Sequence, residues 1–204
     1  MKVVKDVFRK IGAIGLVLSL STFALLAESK DEYIEMVKGN SEAPIKIVEY
    51  ASFTCPHCAT FHSEVFPNLK REYIDTGKVY FIYREVYFDA PGLWAGLLAR
   101  CAGPEKYFGL VELLYDKQKK WTSGSSEQEI VKGLVAIGSQ VGLGNDQISN
   151  CLRNKEKALN LVKSFQENTK KDSVSSTPSL LINGDLHSNL AYEVLKEKID
   201  SLLD

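Results

Sequence analysis

The chain has no excess of basic charge: 25 Lys and Arg stand against 26 Asp and Glu over 204 residues. That balance argues against nucleic acid and against polybasic membrane binding. Cysteine is scarce at 4 residues, and histidine scarcer at 3. Only Cys55 and Cys58 stand at metal-ligand spacing. No second CxxC and no HxxxH follows, so a zinc reading of that pair lacks its other half. Internal repeats and low-complexity segments are absent. What remains is a chain sized for one domain, or a domain with an insertion, and a hydrophobic content of 45% is enough for an ordinary core.

Charge is missing in one place. Lys2, Lys5, Arg9 and Lys10 precede an uncharged run from Ile11 to Ala27, after which Glu28-Ser29-Lys30-Asp31-Glu32 is charged at once. This is the layout of a secretory signal over residues 1–27, with cleavage expected after Ala27. The alternative is an uncleaved membrane anchor, which Ser19, Ser21 and Thr22 weaken. Cleavage removes four basic and one acidic residue and leaves 21 Lys and Arg against 25 Asp and Glu, near −4. The expected location is the periplasm. All four cysteines lie beyond the signal, so an oxidising compartment suggests two pairs. Sequence separation favours Cys55 with Cys58, which leaves Cys101 with Cys151.

Residues 28–44 read as a lead-in with an edge strand near Tyr33 to Val37. The β-branched run Ile45 to Tyr50 is then a buried strand. Phe61, Val65, Phe66, Leu69 and Tyr73 follow helical spacing up to Gly77, and Val79 to Tyr83 is a second strand. Strand, helix, strand with short connections makes a βαβ unit with parallel strands, and residues 45–90 form the first part of an α/β domain. Over residues 91–172 the periodicity is helical. Helices are expected near Leu93 to Ala102, Glu105 to Lys117, Glu127 to Val141, Asp146 to Arg153 and Lys155 to Lys171, with Ser126 and Glu129 as a capping box. Residues 173–204 return to strand chemistry at Ser179 to Ile182, turn at Asn183-Gly184, and end in a helix from about Leu190 to Leu203.

The stretch "SFTCPHCATFH" falls where the first strand gives way to the first helix. A cysteine there meets unpaired backbone N–H groups and the positive end of the helix dipole, and both favour a thiolate. Pro56 fits the first helical turn, where its missing N–H costs nothing. Cys55 is then the exposed nucleophile. Cys58, one turn deeper, is the thiol that resolves a mixed disulfide. Bringing a thiol from about 8.5 to well under 7 needs on the order of 2 kcal/mol. A helix terminus supplies about 0.3 to 2 kcal/mol, so His57 is expected to add the rest as a nearby donor or cation. Stabilising the thiolate stabilises the reduced form and makes the pair oxidising. Half a zinc site and a plain structural disulfide are the competing readings. His62 and His187 are assigned to surface or packing roles.

With "IVEYASFTCPHCATFHSEVFP", "STPSLLING" downstream and a helical block between, the chain resembles the DsbA-type thiol:disulfide oxidoreductases over residues 33–203. The resemblance implies an α/β thioredoxin fold with an inserted all-helical subdomain. It implies Cys55 as nucleophile, His57 as the residue that sets the potential, and Cys58 as the resolving thiol. It makes Pro178 a cis-proline facing the disulfide, with Thr177 before it, both at the substrate site. Glu49 matches the buried acid that this family uses to move protons to and from the resolving cysteine. Its apolar neighbours Ile47, Val48 and Tyr50 would raise its pKa by desolvation. Cys101 and Cys151 depart from the simplest family pattern and are expected to form a structural disulfide across the insertion.

The expected function is an exported monomeric oxidase that gives its Cys55–Cys58 disulfide to unfolded secreted polypeptides and needs no cofactor and no metal. The resemblance implies a quinone-linked membrane reoxidant of the DsbB type. Two alternatives stay open. One is a disulfide isomerase or reductase, although residues 28–44 are too few for the dimerisation domain that isomerases of this fold usually carry. The other is a non-enzymatic surface-exposed protein on the same scaffold.

Overall fold

The computed structural model describes residues 33–204. The signal expected at residues 1–27 lies outside them. Five strands form one mixed sheet: β1 (Met36–Lys38), β2 (Ile45–Ala51), β3 (Val79–Glu85), β4 (Ser179–Ile182) and β5 (Asp185–Ser188), in the order β1-β3-β2-β4-β5. β2 pairs parallel with β3, as the βαβ reading requires, and antiparallel with β4. Asn183 and Gly184 both adopt positive φ, 49° and 100°, the geometry of a two-residue type I′ turn, and they close the β4–β5 hairpin.

The edge strand lies further along than expected, at Met36–Lys38 rather than Tyr33 to Val37. The cause is Arg100. Its guanidinium takes the Ile34 carbonyl at 2.8 Å and stacks 4.6 Å from the Tyr33 ring, while Glu85 accepts its other N–H groups at 2.6 and 2.7 Å. Tyr33 and Ile34 are thereby held by a buried ion pair instead of a strand neighbour.

The helix after the motif is also less regular than its periodicity suggests. α1 (Pro56–Thr60) and α2 (Phe66–Leu69) are each followed by a π-helical turn, Phe61–Val65 and Lys70–Ile74. Pro67 accounts for the first of these. In an unbroken α-helix its ring would collide with the Ser63 carbonyl, and the wider turn, with Phe66 N–H bonded to the Phe61 carbonyl, relieves this.

Between β3 and β4 come α3 (Ala90–Cys101), α4 (Pro104–Asp116), α5 (Gln118–Trp121), α6 (Glu127–Gln140), α7 (Asn145–Leu152) and α8 (Lys155–Lys171), and α9 (Tyr192–Leu203) closes the chain. Five of these match the helices expected for the insertion. α5 was not foreseen, because four residues carry too little periodicity to read. The capping box is shared differently from expectation: Ser126 Oγ accepts from Glu129 N–H at 3.3 Å, but the Glu129 carboxylate accepts from Ser125 N–H at 2.7 Å. Cys101 and Cys151 are disulfide-bonded and tie α3 to α7.

The strand period of two sorts β2 between two apolar layers. Ile45, Ile47 and Ala51 face the larger core with the α1–α2 segment, α4 and α9, and Glu49 shares their face by alternation. Val48 and Tyr50 face a smaller layer with Ile82, Val86 and Leu181, packed against Phe165 of α8. Among the described residues no helix is long and apolar enough to cross a membrane.

Candidate active site

Cys55 is the N-cap of α1, with φ −80° and ψ 119°, and Pro56 begins the helix. Its carbonyl accepts from the N–H groups of Cys58 and Ala59, so the first turn is closed and the Cys55 side chain is left at the helix end. The loop before it is tied down. Thr54 Oγ1 donates to Asp89 at 2.7 Å, and the same carboxylate caps α3 by accepting from Gly92 N–H. Gln118, from the unforeseen α5, donates to the carbonyls of Phe53 and Cys55 at 2.8 and 2.9 Å and is almost wholly buried.

Cys55 keeps its helical partners without Gln118, but the Phe53 carbonyl would be left unpaired. Gln118→Ala is therefore expected to lower stability by about 1–3 kcal/mol, measured by urea unfolding.

Both active-site cysteines are free thiols in this structure. The Cys55 thiol is pulled down to about 5, first by the Cys58 thiol that hydrogen-bonds it, against a partial desolvation that raises it. The Thr177 hydroxyl and the backbone N–H groups of Cys58 and His57 add to the lowering. In its neutral form Cys55 also donates to the Thr177 carbonyl at 3.4 Å, a contact that ionisation replaces. Cys58 is pushed far above the ordinary thiol range, chiefly by burial, then by its bond to Cys55 and the charge of Glu49. One sulfur is thus poised as an anion and its neighbour as a proton holder.

The His57 side chain is exposed beside the helix N-terminus, and its backbone N–H is among the groups that lower the Cys55 thiol. A first-turn residue projects outward while its amide points along the helix axis toward the N-cap. Thr177 and Pro178 do lie beside Cys55, joined by a cis peptide bond.

Glu49 is brought to the site, fully buried, but not in an apolar setting. His62 Nε2 lies 3.1 and 3.0 Å from its two carboxylate oxygens. The surface-or-packing assignment of His62 is therefore overturned for its polar edge, although its ring does pack. It stacks on Tyr115 at 4.3 Å and meets Tyr83 edge-on at 5.7 Å. The signal was present in the sequence: His62 is four residues after Cys58, hence on the same helical face as the buried thiol. His187 sits half-buried on the edge strand β5, away from this cluster. Among the described residues no three His, Cys, Asp or Glu side chains group as a metal cage.

A mixed sheet with a parallel βαβ core, a cysteine pair at the first helix N-terminus and a cis-proline loop against it is a thioredoxin fold. The family described as Thioredoxin matches residues 32–201. A Rickettsia bellii protein described as a protein-disulfide oxidoreductase is 34% identical over 171 residues, 83% of this chain. The chain spans 65% of that relative's length and 61% of the corresponding Rickettsia conorii protein. A Bacillus anthracis protein described as disulfide bond formation protein D is 30% identical, covering 95% of this chain and 97% of its own. The crystal structure of Wolbachia pipientis alpha-DsbA1 superposes with a TM-score of 0.77 at 29% identity, over 82% of this chain and 90% of that one. The chain belongs to the DsbA-like family of thioredoxin-fold disulfide oxidoreductases.

Proposed function

We propose that this protein is an exported thiol oxidase which passes its Cys55–Cys58 disulfide to reduced, unfolded polypeptides. The observation that carries the reading is the asymmetry of the pair: Cys55 held down to about 5, Cys58 held protonated. A substrate thiolate attacks Cys55 Sγ, and Cys58 leaves as a thiolate and takes up a proton. A second substrate thiol then attacks the mixed disulfide and expels the stable Cys55 thiolate. The Thr177–Pro178 segment beside Cys55 offers main-chain groups to an extended chain. Glu49 is the proton partner of Cys58. Passing a proton between the two keeps the number of buried charges constant, which makes the exchange cheap inside the core.

A reoxidant, a membrane-bound quinone-linked protein, restores the disulfide. Export would place the protein in an oxidising compartment, which fits a Cys101–Cys151 bridge remote from the reactive pair. The test is the equilibrium of the reactive pair with glutathione. A thiol at about 5 instead of 9.0 should make the pair more oxidising than an unperturbed dithiol by on the order of 50 mV at pH 7. A pair as reducing as thioredoxin, about −270 mV, overturns the oxidase reading. Rescue of an isomerase-deficient strain, but not an oxidase-deficient one, would move it to the isomerases.

A further inference from the structure

Neither Cys58 nor Glu49 touches solvent; both are fully buried. Each turn of the cycle nevertheless brings one proton to this pair and takes one away, so the proton needs a way in. Among the described residues, the side chain that hydrogen-bonds the Glu49 carboxylate, His62, also borders an opening. Its side chain is 2% exposed, and it lines a cleft of about 750 Å3 between the α1–α2 segment and α4–α5. Its Nε2 is committed to Glu49, and its buried Nδ1, turned away from Glu49 by the geometry of the ring, has no hydrogen-bond partner. A buried polar atom without a partner costs stability, and the groups around this one do not supply a partner.

We infer that His62 is the proton port of the active site, a positioning residue that acts through Glu49 and exchanges protons with water in the cleft at Nδ1. The inference rests on the reading of Glu49 as the proton partner of Cys58. With the cysteines reduced, Cys58 holds its proton, Glu49 stands as its acceptor and His62 as the donor to the cleft. When a mixed disulfide on Cys55 is resolved, the Cys58 proton passes to Glu49 and the Cys58 sulfur attacks Cys55 Sγ, expelling the partner thiolate. His62 releases its Nδ1 proton to the cleft. Reduction of the disulfide reverses each transfer: Glu49 protonates the departing Cys58 thiolate, and Nδ1 takes a proton from water. One proton enters the Glu49–His62 pair for each one that leaves it, so the net charge buried there does not change over the cycle.

The groups facing His62 fit this role. Glu49 on β2, Tyr83 on β3, Tyr115 on α4 and Cys58 on α1 surround it, and neither tyrosine competes as a base, since burial drives both phenols well above their ordinary range. The cleft carries Glu64, Glu112, Asp116 and Lys119, an acidic balance that favours a cation at its floor.

The test is the rate at which Cys58 resolves a glutathione mixed disulfide on Cys55, followed by quenched flow from pH 5 to 8. His62→Gln keeps a donor to Glu49 but cannot titrate. It is expected to slow resolution at least about ten-fold and to change the pH profile, while the pH midpoint of Cys55 alkylation stays in place. In His62→Ala, added imidazole should enter the cleft and restore the rate several-fold. Wild-type resolution in His62→Gln, or no response of His62→Ala to imidazole, overturns the inference. Glu49→Gln separates the two claims. If it resolves normally, the reading of Glu49 fails; if it is slow while His62→Gln is normal, only the port fails.

Discussion

Between pH 5 and pH 7 the reduced protein is expected to gain on the order of 2 kcal/mol of unfolding free energy that the oxidised protein does not gain. The folded Cys55 thiol lies at about 5, below its ordinary 9.0. A group whose pKa is lowered by folding stabilises the native state above its unfolded pKa and loses that contribution as pH falls through the folded one. The window is therefore pH 5 to 9. The interval from 5 to 7 corresponds to ~2.7 kcal/mol, which solvent screening at the partly exposed sulfur reduces. In the disulfide form nothing titrates at this position, so the same series on oxidised protein is the control. Cys55→Ser should flatten the curve of the reduced protein and bring insulin reduction to the uncatalysed rate. A reduced form with no steeper pH dependence than the oxidised one would mean that the sulfur anion is not specially stabilised, and the oxidase reading would lose its physical basis.

Replacing Cys101 and Cys151 together by alanine is expected to cost about 4 kcal/mol and to lower Tm by roughly 10 °C. The size follows from the 50-residue separation that the bridge closes, since the freed unfolded chain gains loop entropy that increases with length. The reactive pair should keep its rate within about two-fold. Its links to the insertion run through Asp89, Tyr115 and Gln118, none of them in α7. Differential scanning calorimetry beside an insulin assay reads both effects. Equal losses of stability and activity would show that the bridge between α3 and α7 also shapes the active site. An unmoved Tm would show that packing alone, such as Ile148 of α7 filling the space beside Gly138 of α6, holds the helices.

Much of the site could be read from neighbouring residues. The strand-to-helix junction at Ser52–Cys55 needs only a β-branched run, a proline at the first helical position and the apolar spacing that follows. The Asn183-Gly184 turn is as local, and so is the parallel pairing of β2 with β3, which a short connection containing a helix imposes. The corrections fall on contacts made at long range. Arg100 takes hold of Ile34 from 66 residues away and shifts β1 toward Met36–Lys38. Gln118 reaches Cys55 across 63 residues from a helix too short to announce itself.

By itself the sequence determined the order of the elements, the place of the cysteine pair at a helix N-terminus and the face of β2 that carries Glu49, because each depends on residues within one or two turns. Only the tertiary structure decided that His62 caps Glu49 and that Cys58 is sealed from water. Periodicity says which way a side chain points. What stands opposite it is settled when α4 and α5 close over the α1–α2 segment, and with that the charge, hydrogen bonding and solvent access on which each sulfur and carboxylate depends.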